Sequence, residues 1–140
     1  GHKGGLTQVQ FSADGRLLVT GSRRENKLLC WDLRNLGMVL YTMERQCTNN
    51  QKVLFDIDWS GAHLYTACQS GKVKVFELQR SGDLVAEYSP SQSVLNCVSI
   101  HPRLPLLATS SGERVIQPLY TYSDGSPDSD SDSTESTASE

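Results

Sequence analysis

The chain contains no CxxC pair, and its four cysteines (Cys30, Cys47, Cys68 and Cys97) stand far apart with no paired histidines beside them. Metal-ligand spacing is therefore missing, and buried free thiols in a reducing compartment are the expected state. No apolar run approaches the roughly 20 residues that cross a bilayer, so no membrane partner is expected. No signal peptide is visible, although the chain opens on Gly1 rather than Met and an upstream signal would lie outside it. Motifs for chemistry are missing too. There is no GxSxG, P-loop or GxGxxG, and none of the three histidines (His2, His63, His101) neighbours a Cys or Ser in a nucleophile motif. Asp56 and Asp58 could pair as carboxylates, but two positions apart on one strand they more simply hydrogen-bond a neighbouring loop. No catalytic residue, cofactor, metal or small-molecule substrate is expected.

Basic residues are absent from the last 18 positions, "SDGSPDSDSDSTESTASE", which hold six acidic residues and no apolar side chain larger than proline. Such a stretch cannot bury enough apolar surface to offset its ordering entropy, so residues 123–140 are expected to be a disordered acidic tail. Ser126 precedes a proline, and Ser129 and Thr137 each have an acid three residues on, so all three are candidate phosphorylation sites. The body, residues 1–122, keeps all 13 basic residues against 10 acidic ones. It is mildly basic, which suits a nucleic-acid partner without demanding one.

No sustained helical period appears anywhere; period-2 alternation does. "VQFSADGRLLVTGS" (9–22), "FDIDWSGAHLYTAC" (55–68) and "CVSIHPRLPLLATS" (97–110) share one plan: apolar alternation, a polar turn, a second apolar run, then Thr and a small residue. Thr20, Thr66 and Thr109 mark one position, 46 and 43 residues apart, close to the roughly 40–45 residues of a four-stranded propeller blade. Alternation and turn residues predict strands at 6–12, 16–22, 27–33 and 38–44, then 53–59, 63–68, 72–78 and 84–88, then 94–100, 105–110 and 113–117. Asp14-Gly15, Ser60-Gly61 and Ser70-Gly71 supply the turns. The fold class is all-β. Since rings need about four to eight blades, the expectation is two and a half to three C-terminal blades of a larger, seven-bladed β-propeller.

"GH" at residues 1–2 and "WD" at 31–32 bracket the first unit as in WD40 repeats, which it resembles. The resemblance implies a hydrogen-bonded set of His2, Ser22 and Trp31 beside Asp32, with Glu25 as the acid available in a connection one residue longer than usual. Read continuously, "GHKGG" (1–5), "LLCWDLR" (28–34), "TNNQ" (48–51) with "FDID" (55–58), and "HPRLPLLATSSGERV" (101–115) resemble the end of the telomerase Cajal body protein family. That resemblance runs to about Pro118. It implies a non-catalytic nuclear scaffold in the Cajal body. Its implied partners are box H/ACA small Cajal-body RNA, telomerase RNA and the dyskerin-containing ribonucleoprotein. The competing reading is a general peptide-binding WD40 scaffold, such as a ubiquitin-ligase receptor or chromatin reader.

Two connections carry the candidate RNA-binding residues. "SRREN" (22–26) presents Arg23 and Arg24 with Lys27 nearby, guanidinium and ammonium groups suited to phosphate or a stacked base. The alternative is that these arginines pair with Glu25 or an acid of the adjacent blade and fix the rim. "RQCTNNQK" (45–52) offers Arg45, Asn49, Asn50 and Lys52 for base edges and phosphate, or else a polar loop whose amides cap their own backbone. Lys72 and Lys74, alternating on one strand, read as a solvated outer face.

Overall fold

The structure, a computed structural model, describes residues 1–112 of the 140. The strand expected at 113–117, the domain boundary at 122/123, the acidic tail and Ser126, Ser129 and Thr137 lie outside the described residues. Ten strands run in order, with no helix among the described residues. The first sheet joins β1 (Leu6–Phe11), β2 (Leu17–Ser22), β3 (Lys27–Asp32) and β4 (Val39–Glu44) in sequence order. The second joins β5 (Phe55–Ile57), β6 (His63–Ala67), β7 (Val73–Glu77) and β8 (Leu84–Tyr88) in the same way. β9 (Leu95–Ile100) and β10 (Leu107–Ser111) form a two-stranded third sheet.

All pairings are antiparallel, and the internal repeat survives at the level of register. Thr20 faces Val9, Thr66 faces Phe55 and Thr109 faces Val98 across the first hairpin of each sheet. Trp31 sits opposite Leu18 and Phe76 opposite Leu64, each two positions before the marker threonine. The shift in pairing between the third and fourth strands falls at Cys30/Trp31 in one sheet and Val75/Phe76 in the other. Repeat spacing in the sequence thus becomes repeat geometry, down to the bulge.

The sheets stack face to face because each strand's alternation leaves one apolar row on either side. Val19, Leu28, Cys30 and Met43 of the first sheet meet Phe55, Ile57, Leu64 and Phe76 of the second. Ala67 and Val73 then meet Leu95 and Val98 of the third, with Cys47 and Val53 from the connection filling the seam. The innermost strands of neighbouring sheets are joined by side chains rather than by a ladder. Gln8 Nε2 donates to Phe55 O (2.7 Å) while Phe55 N donates to Gln8 Oε1 (2.9 Å). Asp56 accepts from Gln10 Nε2 at 3.2 Å and from Ile100 N at 2.8 Å, so one carboxylate ties three inner strands. These bonds satisfy the backbone edges that a sheet would otherwise leave open.

Two expectations are trimmed. β5 does not run to Trp59, because Asp58 closes a turn by accepting from Ser60 Oγ and Ala62 N, and this leaves Trp59 71% exposed. Cys68 lies just beyond β6 rather than within it, while Cys30, Cys47 and Cys68 are buried free thiols and Cys97 is half-buried. Asp58 and two of the histidines serve the turns. His63 Nδ1 pairs with Asp58 at 3.1 Å, and His101 Nδ1 accepts from the amides of Arg103 and Leu104.

Candidate functional site

The connections after β2 and β4 of the first sheet and after β6 of the second share one rim. Arg45 N donates to Asn26 O, Cys47 N to Asn26 Oδ1, and Gln69 N to Gln46 O. Thr48 N, Thr48 Oγ1 and Asn49 N all donate to Gln69 Oε1. A chain of hydrogen bonds therefore fixes 22–26, 45–52 and 68–72 side by side, so residues distant in sequence meet at one edge.

Glu25 anchors the rim at the first sheet. It accepts from His2 Nδ1, Ser22 Oγ and the Lys3 amide, and from Gly4 N at 3.2 Å. On the far side of the imidazole, His2 Nε2 meets Thr20 Oγ1 at 2.8 Å, and Trp31 Nε1 donates to the same oxygen at 3.0 Å. With the imidazole proton on Nδ1, every group is satisfied: Trp31 donates to Thr20, Thr20 to His2, and His2 to Glu25. Burial works against the charge on Glu25, but the bonds from Ser22, His2 and the Lys3 and Gly4 amides outweigh it and pull the carboxyl down to about 2. Glu25 thus fills the acid position. The set differs from expectation at Ser22, which joins through Glu25 while Thr20 takes the tryptophan. Asp32 stands apart, holding Arg34 at 2.7 Å across its own turn.

That network sets the arginine turn. Arg23 N donates to Gly5 O at 3.0 Å, and Arg24 adopts φ 57°, a left-handed conformation uncommon for a long side chain. A Cβ at Gly4 would overlap the Arg23 carbonyl oxygen, so only glycine lets the two segments lie this close. Both arginines are exposed, and among the described residues neither has a carboxylate within ion-pairing distance. Glu25, the acid next to them, is engaged with His2, Ser22 and the Lys3 and Gly4 amides, so it is not the arginines' ion-pair partner. A cleft of about 510 Å³ is lined by Lys3, Gly4, Gly5, Arg23, Arg24, Glu25 and Asn50. A second of about 300 Å³, lined by Gly5, Leu6, Thr7, Arg23 and Lys52, adjoins it across Arg23.

Of the sequence candidates, Arg23, Arg24, Asn50 and Lys52 therefore converge. Lys3, which the sequence reading left aside, joins them because Gly4 and Gly5 carry it onto the arginine turn. Lys27 lies on β3 opposite Glu44, half-buried and away from the two clefts. Asn49 is taken up locally: its Oδ1 accepts from Gln51 N at 3.1 Å and its Nδ2 donates to Gln51 Oε1 at 3.2 Å. Lys72 pairs with Glu87 at 2.6 Å, and Lys74 Nζ donates to Glu44 O at 3.3 Å, so both brace the outer strands.

Arg45 requires a correction. Its backbone lies on the rim but its side chain does not: only 2% exposed, it turns inward between the first two sheets with Nη1 donating to Val53 O at 2.8 Å. Among the described residues its Nε and Nη2 have no hydrogen-bond partner, and desolvation lowers its pKa. A buried cation without a carboxylate is a weak source of stability. Arg45→Met should therefore change the unfolding free energy by no more than about 1 kcal/mol, read by urea denaturation. A loss above about 3 kcal/mol would show that the guanidinium is essential packing.

The family model described as "WD domain, G-beta repeat" matches residues 1–32. The chain is 40% identical over 137 residues to Telomerase Cajal body protein 1 of Mesocricetus auratus, an alignment covering 93% of this chain and 26% of the relative. It is 42% identical over 120 residues to Telomerase Cajal body protein 1 of Homo sapiens, covering 82% of this chain and 22% of the relative. This chain thus spans about a quarter of the length of these curated relatives. Among solved structures, the WD40 repeats of RRP9 superpose with a TM-score of 0.65 at 15% identity, covering 78% of this chain and 33% of that one. This likeness shows the fold: the sheets are blades of a WD40 β-propeller.

Proposed function

Because the chain belongs with the telomerase Cajal body proteins over the quarter of their length that it spans, we propose that it forms part of a non-catalytic RNA-binding scaffold in nuclear Cajal bodies. Its partners in this reading are box H/ACA small Cajal-body RNA and telomerase RNA, held beside the dyskerin-containing ribonucleoprotein. The observation that carries it is the rim: Lys3, Arg23, Arg24 and Lys52 present cations around two adjoining clefts, with the Asn50 amide among them. Arginines without acidic partners among the described residues, in a glycine-clamped turn with Arg24 left-handed, are expected to contribute little to folding. They match phosphate oxygens and the faces of unstacked bases. A peptide-binding scaffold would instead be expected to present an apolar anchor pocket at this rim, and these clefts are lined by charge.

The test is RNA binding by the full-length protein at several salt concentrations. Arg23→Ala with Arg24→Ala should lower affinity and make the slope of log K against log salt shallower by about one to two units, through lost counterion release. Thermal stability should stay within about 0.5 kcal/mol of wild type. Unchanged affinity and slope, with a collapsed melting temperature, would make the arginines structural and move the RNA elsewhere.

A further inference from the structure

The rim has a second set of negative charges within reach, on the same chain. Gly112, the last described residue, lies on this edge: Gln51 Nε2 approaches Gly112 O at 3.5 Å, and Gly112 N donates to Val94 O at 3.3 Å. Gln51 is the neighbour of both Asn50 and Lys52, which line the two clefts. From Gly112 the chain has ten residues before residue 123, enough to span about 35 Å at roughly 3.3–3.6 Å per residue. The 18 residues that follow carry six carboxylates and no base. The chain therefore leaves its last described strand on the basic edge and continues into a polyanion.

We propose that the acidic segment 123–140 occupies the Arg23–Arg24–Lys52 rim and competes there with RNA phosphate, a built-in restraint on binding. It rests on the reading of this rim as a phosphate site. Three observations carry it. The cations lack carboxylate partners among the described residues, the single acid in their cleft is saturated by His2, Ser22 and two amides, and the departure point at Gly112 is tethered to the same loop. A short tether holds its ligand at an effective concentration of about millimolar, so even weak charge–charge contacts are populated. Phosphate on Ser126, Ser129 or Thr137 would add about −1.5 to −2 charge each and strengthen the restraint.

The experiment uses two variants of the full-length protein, one with residues 123–140 deleted and one with the six acids of that segment changed to Asn or Gln. The probes are a single-stranded uridine 15-mer and a free peptide of residues 123–140. Both protein forms should bind the uridine probe about 3–10-fold more tightly than wild type at 50 mM salt. The gain should vanish near 0.5 M salt, where screening shortens the reach of charge to about 4 Å. The peptide should bind the form lacking 123–140, more tightly when phosphorylated, and lose that binding on Arg23→Ala with Arg24→Ala. If the peptide binds in this arginine-dependent way but the uridine probe does not bind, the tail contact stands and the RNA reading falls. If the uridine probe needs the arginines while both tail variants match wild type and the peptide does not bind, the proposal is overturned and the RNA reading stands.

Discussion

Replacing Phe55 by Ala should lower the unfolding free energy by about 3–5 kcal/mol, the usual range for truncating a buried aromatic. Phe55 begins the three-residue strand β5, yet its ring is only 2% exposed and packs in the cluster that joins the first two blades. A Cβ placed on Gly21 would stand 3.4 Å from its Cε1, so β2 packs close against the ring. Its amide and carbonyl are both held by the Gln8 side chain, so the backbone cannot shift to fill the space that truncation leaves. Both transfer and cavity costs should then appear in full. Urea denaturation of the full-length protein reads the difference. Gln92→Ala, exposed between β8 and β9, should stay within about 0.5 kcal/mol. A loss below about 1 kcal/mol for Phe55→Ala would mean that the blade interface is loosely packed.

The blade architecture was legible because alternation, turn glycines and the recurring threonine all mark a period-2 chain folding back on itself. What sequence left open was the fate of individual polar side chains, and register decides most of those. Met43, Arg45 and Cys47 are buried while Thr42, Glu44 and Gln46 are exposed, so the alternation of β4 continues past its end and turns Arg45 inward. That parity was available in the sequence. A basic residue beginning a polar run nevertheless read as surface. The choice of Thr20 over Ser22 as the tryptophan's partner also follows from register, since Trp31 sits opposite Leu18 and the nearer hydroxyl on that face is Thr20. β5 ended early because Asp58 found partners in its own turn, a local competition that alternation does not reveal. Of the rim, the cations Arg23, Arg24 and Lys52 were legible by type. Their meeting with Lys3 depends on Gly4 and Gly5 closing over the turn, which only the folded chain displays.

Glu25→Ala separates the positioning of the rim from its charge. Truncation strands the donors of His2, Ser22, Lys3 N and Gly4 N, and hydrogen bonds to a charged acceptor are worth more than neutral ones, so a loss of about 2–3 kcal/mol is expected. The sign of the acid dependence follows from the depressed carboxyl. Folding holds it at about 2 against an ordinary 4.5, so its stabilisation is complete above about pH 4.5 and is lost as pH falls toward 2. Glu25→Gln should flatten stability between those values, measured by denaturation at several acidic pH values; an unaltered profile would mean that the carboxylate contributes nothing there. RNA binding gives the sharper reading. By Coulomb's law alone, removing a carboxylate from a cleft of cations should tighten the hold on phosphate. If Glu25 instead keeps the Gly4–Gly5 segment against the arginine turn, Glu25→Ala should weaken RNA binding by about 3–10-fold despite the gain in positive charge, as expected when a rigid site is left without support. The left-handed Arg24 is then no longer held, and its guanidinium must be ordered at the cost of binding. Tighter binding by Glu25→Ala would show that the rim acts as a diffuse positive field rather than as a shaped site.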